Sequence, residues 1–233
     1  MRRGRRALKR RGVVGIESAI VLIAFVIVAA ALAFVVLNMG FFTTQKSKET
    51  IRSGLGEASS ALELDGSIVA HVDVTNKKVT YWYAPLKLAA GEHPVDLTVG
   101  KATIAYWSPQ RGISYTDIYA LALSDTEYKS VSDVMSNSDV QAKLETQTVD
   151  NQTVFTGYAK NETFAVIAWV TNINQDNVLD PGEKAMLIIF YTSSDAPESY
   201  DVVKAEVKVP VGAPLTIERS IPPSLTQEII DLG

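Results

Sequence analysis

The chain has 233 residues, 47% hydrophobic and 21% charged, enough apolar side chain for a core and too much for a disordered polymer. It has no cysteine and only two histidines, His71 and His93. Disulfides, thiolate metal sites and a cysteine nucleophile are therefore excluded, and a histidine-built metal centre or triad has almost nothing to draw on. Of the 22 lysines and arginines, seven fall in residues 1–12 with no acid among them. The remaining 221 residues hold 15 basic and 26 acidic side chains, a net of −11, a poor balance for binding nucleic acid.

The basic stretch ends at Arg10-Arg11-Gly12 and is followed by Val13-Val14-Gly15-Ile16-Glu17-Ser18. Residues 19–37 then run without one polar side chain. As a helix this run spans roughly 28 Å, close to the hydrocarbon thickness of a bilayer, and the positive charges before it hold that end in the cytoplasm. A membrane anchor and a secretory signal share these features. Against a secretory signal, no small-x-small cleavage motif lies beyond the run. The small residue stands before it instead, at Gly12, so cleavage there removes the charges and keeps the apolar segment. Glu17 is the single charge near the start of that segment. At a bilayer centre such a charge costs about 2.5–3.5 kcal/mol, and less at the edge. It reads either as a tolerated interfacial acid or as an assembly contact.

Beyond Leu37, Ile51, Leu55, Ala58 and Leu62 follow i, i+4, i+7 and i+11, a helical stripe. No proline precedes Pro85. The spacing predicts one helix from about Val13 to Leu64, thinned at Gly40, Gly54 and Gly56 and stopped by Asp65-Gly66. A single-pass membrane protein with a stalk would look like this, and so would the core helix of a polymer. Ala29, Ala30, Ala31 and Ala33 among Leu, Val and Phe allow helices to approach closely, and the Gly12 junction favours the polymer.

From Ser67 the period changes to two. Ile68, Ala70, Val72 and Val74 alternate with more polar neighbours, Asn76-Lys77 turns the chain, and residues 78–84 return as a hairpin partner. Residues 102–108, 162–171 and 185–192 are rich in aromatic and β-branched side chains, and residues 202–209 alternate valine and alanine with lysine and glutamate. Residues 124–147 are polar and read as an exposed excursion. The expected class is α+β: a long hydrophobic N-terminal helix, then an antiparallel β-sandwich or barrel of immunoglobulin-like type. The expected divisions are 1–12, 13–65 and 66–233.

One polar segment has ligand spacing. Counting Asn172 as position one, Asn174, Asp176, Asp180 and Glu183 fall at three, five, nine and twelve, and Val178 at seven offers its carbonyl. That is the order of oxygen ligands in a calcium loop, with Asn177 replacing the usual glycine at the left-handed turn. The flanking segments read as strands, so a plain polar turn explains the same residues. Structural Ca²⁺ and the turn both stand as expectations. Asn151 and Asn161 each begin an N-glycosylation triplet. No phosphate loop, nucleophile elbow, zinc-protease motif or carboxylate pair occurs, His71 and His93 read as structural, and the chain is not expected to be an enzyme.

The layout around Gly12 resembles the class III signal of type IV pilin-like proteins, which include archaeal flagellins (archaellins) and adhesion pilins. Residues 42–50 fall where archaellins carry a Gln-Lys-containing stretch, and residues 88–107 look like their Gly…Pro-Val-Asp-Leu hairpin. Residues 211–232 resemble the archaellin C-terminus closely: Gly212-Ala213-Pro214-Leu215, then Ile217-Glu218-Arg219, a proline and a final Asp231-Leu232. The resemblance implies a prepilin peptidase cutting after Gly12, so that Val13 begins the mature chain. It implies a helix whose Gly15, Glu17, Ala30 and Ala33 serve assembly with identical or paralogous subunits. It further implies a membrane-inserted precursor, an assembly machinery with a cytoplasmic ATPase, and an extracellular filament for swimming. The alternative is a class III adhesion pilus with the same core.

Overall fold

The computed structural model describes residues 13–58, 62–91, 93–149 and 152–233. The chain divides into two compact units at Leu55/Gly56.

The first unit holds all but the last three residues of α1 (Val13–Ala58), a helix of 46 residues or about 69 Å. Several of its polar residues find partners along the helix itself. Thr43 Oγ1 donates to the Met39 carbonyl and Thr44 Oγ1 to the Gly40 carbonyl, both at 2.8 Å, and Lys46 pairs with Glu49. The helix stops short of the expected Leu64. Leu62–Leu64 is instead strand β1, with Leu62 opposite Leu88. Leu62 and Leu64 suit a period of two as well as a helical stripe, and a sheet supplies their backbone partners where Gly54 and Gly56 have weakened the helix.

The second unit continues with β2 (Val69–Asp73), β3 (Lys78–Leu88), β4 (Val95–Asp96), β5 (Thr103–Ser108), β6 (Ile113–Tyr115) and β7 (Tyr119–Leu123). Two short helices follow, α2 (Val131–Met135) and α3 (Ser138–Lys143). The remaining strands are β8 (Leu144–Val149), β9 (Gln152–Ala159), β10 (Phe164–Thr171), β11 (Val178–Leu179), β12 (Lys184–Phe190), β13 (Val202–Lys208), β14 (Leu215–Ser220) and β15 (Ile229–Asp231).

A seven-stranded sheet runs β15-β2-β3-β12-β10-β7, with β1 also on β3, and a four-stranded sheet runs β14-β13-β5-β6. Pairing is antiparallel except between β10 and β7, which is parallel. Pro85 lies inside β3 where the neighbouring strand changes from β2 to β1, a place where a missing N–H is tolerated.

The two faces of the seven-stranded sheet bury different side chains. Ile167 and Trp169 of β10 and Leu187 and Ile189 of β12 face a core shared with Ile104, Tyr106, Val203, Val207 and Ile217 of the four-stranded sheet. Val166, Ala168, Met186 and Ile188 face a second core with Tyr128, Val131, Val134, Val140 and Leu144. The polar segment 124–147 is therefore a covering layer, contrary to the expected exposed excursion. A capping box joins Ser130 and Asp133 at the start of α2, and Asn137 caps α3 through the Asp139 N–H. These caps let two short helices deliver a few valines to the sheet. With both faces covered, β10 and β12 read as continuous apolar runs.

Candidate functional site

Two places concentrate the residues singled out in the sequence. The first is α1. Every described side chain from Gly15 to Leu55 is exposed, including Glu17, Ala30 and Ala33. A Cβ built on Gly15 meets nothing within 4 Å. Residues 15–55 are long and apolar enough to cross a membrane. Val13 is the first residue of the helix, while Gly12 lies outside the described residues. Helices that are apolar all round are stable only in lipid or among other helices, and the small residues are the points where a second helix can come close.

The second is the loop 172–183. Its residues close on one another. Asn172 Oδ1 accepts the Gln175 N–H at 2.7 Å, Asn174 Oδ1 the Asp176 N–H at 3.3 Å, and Asp176 Oδ1 the Val178 N–H at 2.8 Å. Asn174 Nδ2 donates to Asp180 Oδ2 at 2.7 Å. Glu183 is 1% exposed. Its Oε1 accepts the Ile173 N–H at 2.7 Å and its Oε2 the Asp180 N–H at 3.0 Å. Besides Gly182, the residue with positive φ is Gln175, at 58°, and not Asn177 as the calcium pattern expects. Among the described residues, no group of three or more His, Asp or Glu side chains is placed to hold a metal. As folded, the residues do not fit a calcium cage: the glutamate that should grip the ion with two oxygens holds two backbone amides. The same loop anchors β11 to β4, and the Asn177 carbonyl accepts the Leu97 N–H at 2.8 Å.

Of the two glycosylation triplets, Asn151 lies outside the described residues. Asn161 is exposed in the turn before β10. Thr163 of its triplet is buried, and its hydroxyl donates to Asp195 Oδ2 at 2.7 Å. His71 is half-buried, with Nδ1 3.0 Å from Thr80 Oγ1 and its ring stacked on Tyr81, and His93 is exposed.

Asp195 was not singled out in the sequence, yet it ties three segments together. Besides Thr163, it accepts the Tyr115 hydroxyl at 2.9 Å and Ser194 Oγ at 3.3 Å. Burial pushes its pKa up, but hydrogen bonds from Thr163, Tyr115, Thr192 and Ser194 outweigh that and leave it below the ordinary carboxylate value. A lowered folded pKa means stability that is fully present above the unfolded pKa, near 3.9, and lost as pH falls through the lower folded value. Thermal melts followed by circular dichroism are expected to hold level near neutrality and fall below about pH 4. Asp195→Asn is expected to lower the neutral melting temperature and flatten that acid limb. An unchanged acid limb would remove Asp195 as its source.

A long apolar helix exposed along its length, followed by a β unit with its own cores, fits an assembly subunit of the pilin-like class as well as a membrane-anchored protein, and likeness to known proteins decides between them. The archaeal-type flagellin profile matches residues 12–219. The chain is 45% identical to probable flagellin 1 of Aeropyrum pernix over 226 residues, 97% of this chain and 99% of that one. It is 34% identical to probable flagellin 1 of Archaeoglobus fulgidus over 234 residues, covering 97% and 98% of the two chains. Among solved structures, the archaeal flagellum of Methanospirillum hungatei aligns with a TM-score of 0.52 at 23% identity, over 93% of this chain and 98% of that one. The chain belongs to the archaeal-type flagellin family and is a structural subunit of the archaeal flagellum filament. None of these likenesses favours the adhesion pilus.

Proposed function

We propose that the chain is made as a membrane-inserted precursor, cut after Gly12 by a prepilin peptidase, and passed by a membrane machinery with a cytoplasmic ATPase into a helical homopolymer. The polymer grows through α1 and serves swimming outside the cell. The observation that carries this reading is the uninterrupted apolar run 19–37, exposed throughout. Nineteen such residues cannot stay in water, because each square ångström of apolar surface left there costs about 25 cal/mol. Lipid holds them before assembly and neighbouring helices hold them after it. Transfer between the two gains little hydrophobic energy, so close packing decides it.

Filaments isolated from cells are expected to contain a chain beginning at Val13, read by N-terminal sequencing. Met1 at that position would sink the proposal. Deleting the gene is expected to remove surface filaments in electron micrographs and swimming with them. A glycan at Asn161 must be added before residues 161–163 fold, since Thr163 is then committed to Asp195. Calcium at 172–183 requires Glu183 to leave both of its amides, and it is assigned no part in assembly.

A further inference from the structure

Tyr200 stands at φ 71° with 73% of its surface exposed. A bulky side chain in the left-handed region is strained, and an exposed ring returns nothing to its own chain for that strain. The conformation is nevertheless fastened: the Tyr200 N–H donates to the Ile221 carbonyl at 3.1 Å, and the Ile221 N–H donates to the Asp201 carbonyl at 2.8 Å.

Tyr200 lies two residues before β13 and so at one end of the four-stranded sheet. At the other end β13 runs on into Val211, 65% exposed. Val99, also exposed, precedes β5 at that same end, since Thr103 pairs with Lys208. Ile173 is exposed in the loop whose Asn177 carbonyl holds Leu97. The sheet therefore carries apolar side chains at both ends, of different composition.

The charges differ in the same sense. At the Val99–Val211 end, lysine is the more exposed partner of each ion pair: Lys101 with Asp96, and Lys208 with Glu206. Toward the Tyr200 end the acid is the more exposed in three of four pairs: Glu198 with Lys78 and Arg111, and Glu218 with Lys204, against Arg111 with the more buried Asp201. One end offers aliphatic tips beside ammonium groups, the other an aromatic ring beside carboxylates, which is the complementarity of an interface. Two unlike complementary patches on one chain make a heterologous contact, which propagates without closing.

We propose that the Tyr200 end of one β unit docks on the Val99–Val211 end of a β unit in a second copy of this chain. The inference rests on the filament reading above. The chain has no cysteine, so introduced thiols report alone. Filaments of a Tyr200→Cys/Val211→Cys chain, treated with a short thiol-reactive cross-linker, are expected to give a ladder of linked oligomers on denaturing gels. A Tyr200→Cys/Ile229→Cys control, equally exposed but on the other sheet, is expected to give monomer. Monomer alone from assembled filaments of the first variant overturns the docking. Should that variant not assemble, co-assembly of the two single variants is expected to yield dimers and nothing larger, and their absence overturns it. Dimers from Tyr200→Cys filaments by themselves also overturn it, because they report a symmetric contact. A wild-type chain that forms no filaments at all overturns the filament reading instead.

Discussion

An Ala30→Trp chain is expected to enter the membrane and fold its β unit but to build no filaments. Ala30 is exposed on α1, so an indole there displaces nothing within the subunit, and lipid accepts it readily. Among packed helices the outcome differs. Packed helix axes lie about 8–10 Å apart, and the near end of that range is reached only where side chains are small. Overpacking such a contact costs about 1–3 kcal/mol, which lowers subunit affinity by roughly 5–150-fold at every contact along the polymer. Ala33→Trp is expected to behave likewise, whereas Ala30→Gly should assemble. Filament yield in electron micrographs, set against membrane-fraction levels of the subunit, measures the effect. Normal yield of Ala30→Trp filaments would show that position to lie off the contact, and tolerance at several such positions would end the core-helix account.

Glu183→Ala is expected to destabilise the β unit strongly. Both carboxylate oxygens accept backbone N–H groups from inside the 172–183 loop, and the side chain is buried. Hydrogen bonds to a charged group contribute about 1.5–3 kcal/mol each, and removing the acceptor leaves two donors unmet. The loss is expected to be about 3 kcal/mol or more, a fall of roughly 6–12 °C in melting temperature for a unit of this size. Glu183→Gln keeps one acceptor oxygen and should fall between. The same melts decide the fate of calcium. With Glu183 as a latch, the wild-type curve is the same in a chelator and in millimolar calcium. A calcium-dependent rise that disappears in Glu183→Ala would restore the ligand role.

The helix was legible because nineteen consecutive apolar residues allow few other readings. Its C-terminal boundary was not, because Leu62 and Leu64 fit both periods and the pairing with Leu88 is a distant event. The strands that alternate, such as β13, were visible for the face they show to water. The layer over the second core was missed because serine and aspartate dominate residues 124–147. Yet Tyr128, Val131 and Val134 recur every third residue, and Ser130 and Asp133 stand three apart as a capping box. The calcium pattern was legible only as a pattern. Oxygen-bearing side chains at that spacing serve a cation or the loop's own amides equally well, and only the position of Glu183 tells them apart. Asp195 carried little local signal, since the partners that tie segments together, Thr163 and Tyr115, come from 32 and 80 residues away.

The burial of β10 and β12 on both sides has a further consequence, for survival outside the cell. Ladder amides in strands with no solvent on either face exchange their hydrogens only when a large part of the unit opens at once. Ile167, Leu187 and Ile189 on one side and Val166 and Ile188 on the other leave no partial opening that would expose these strands alone. An extracellular protease therefore reaches the backbone of these two strands only when the unit opens as a whole, so their resistance follows the global stability of the β unit.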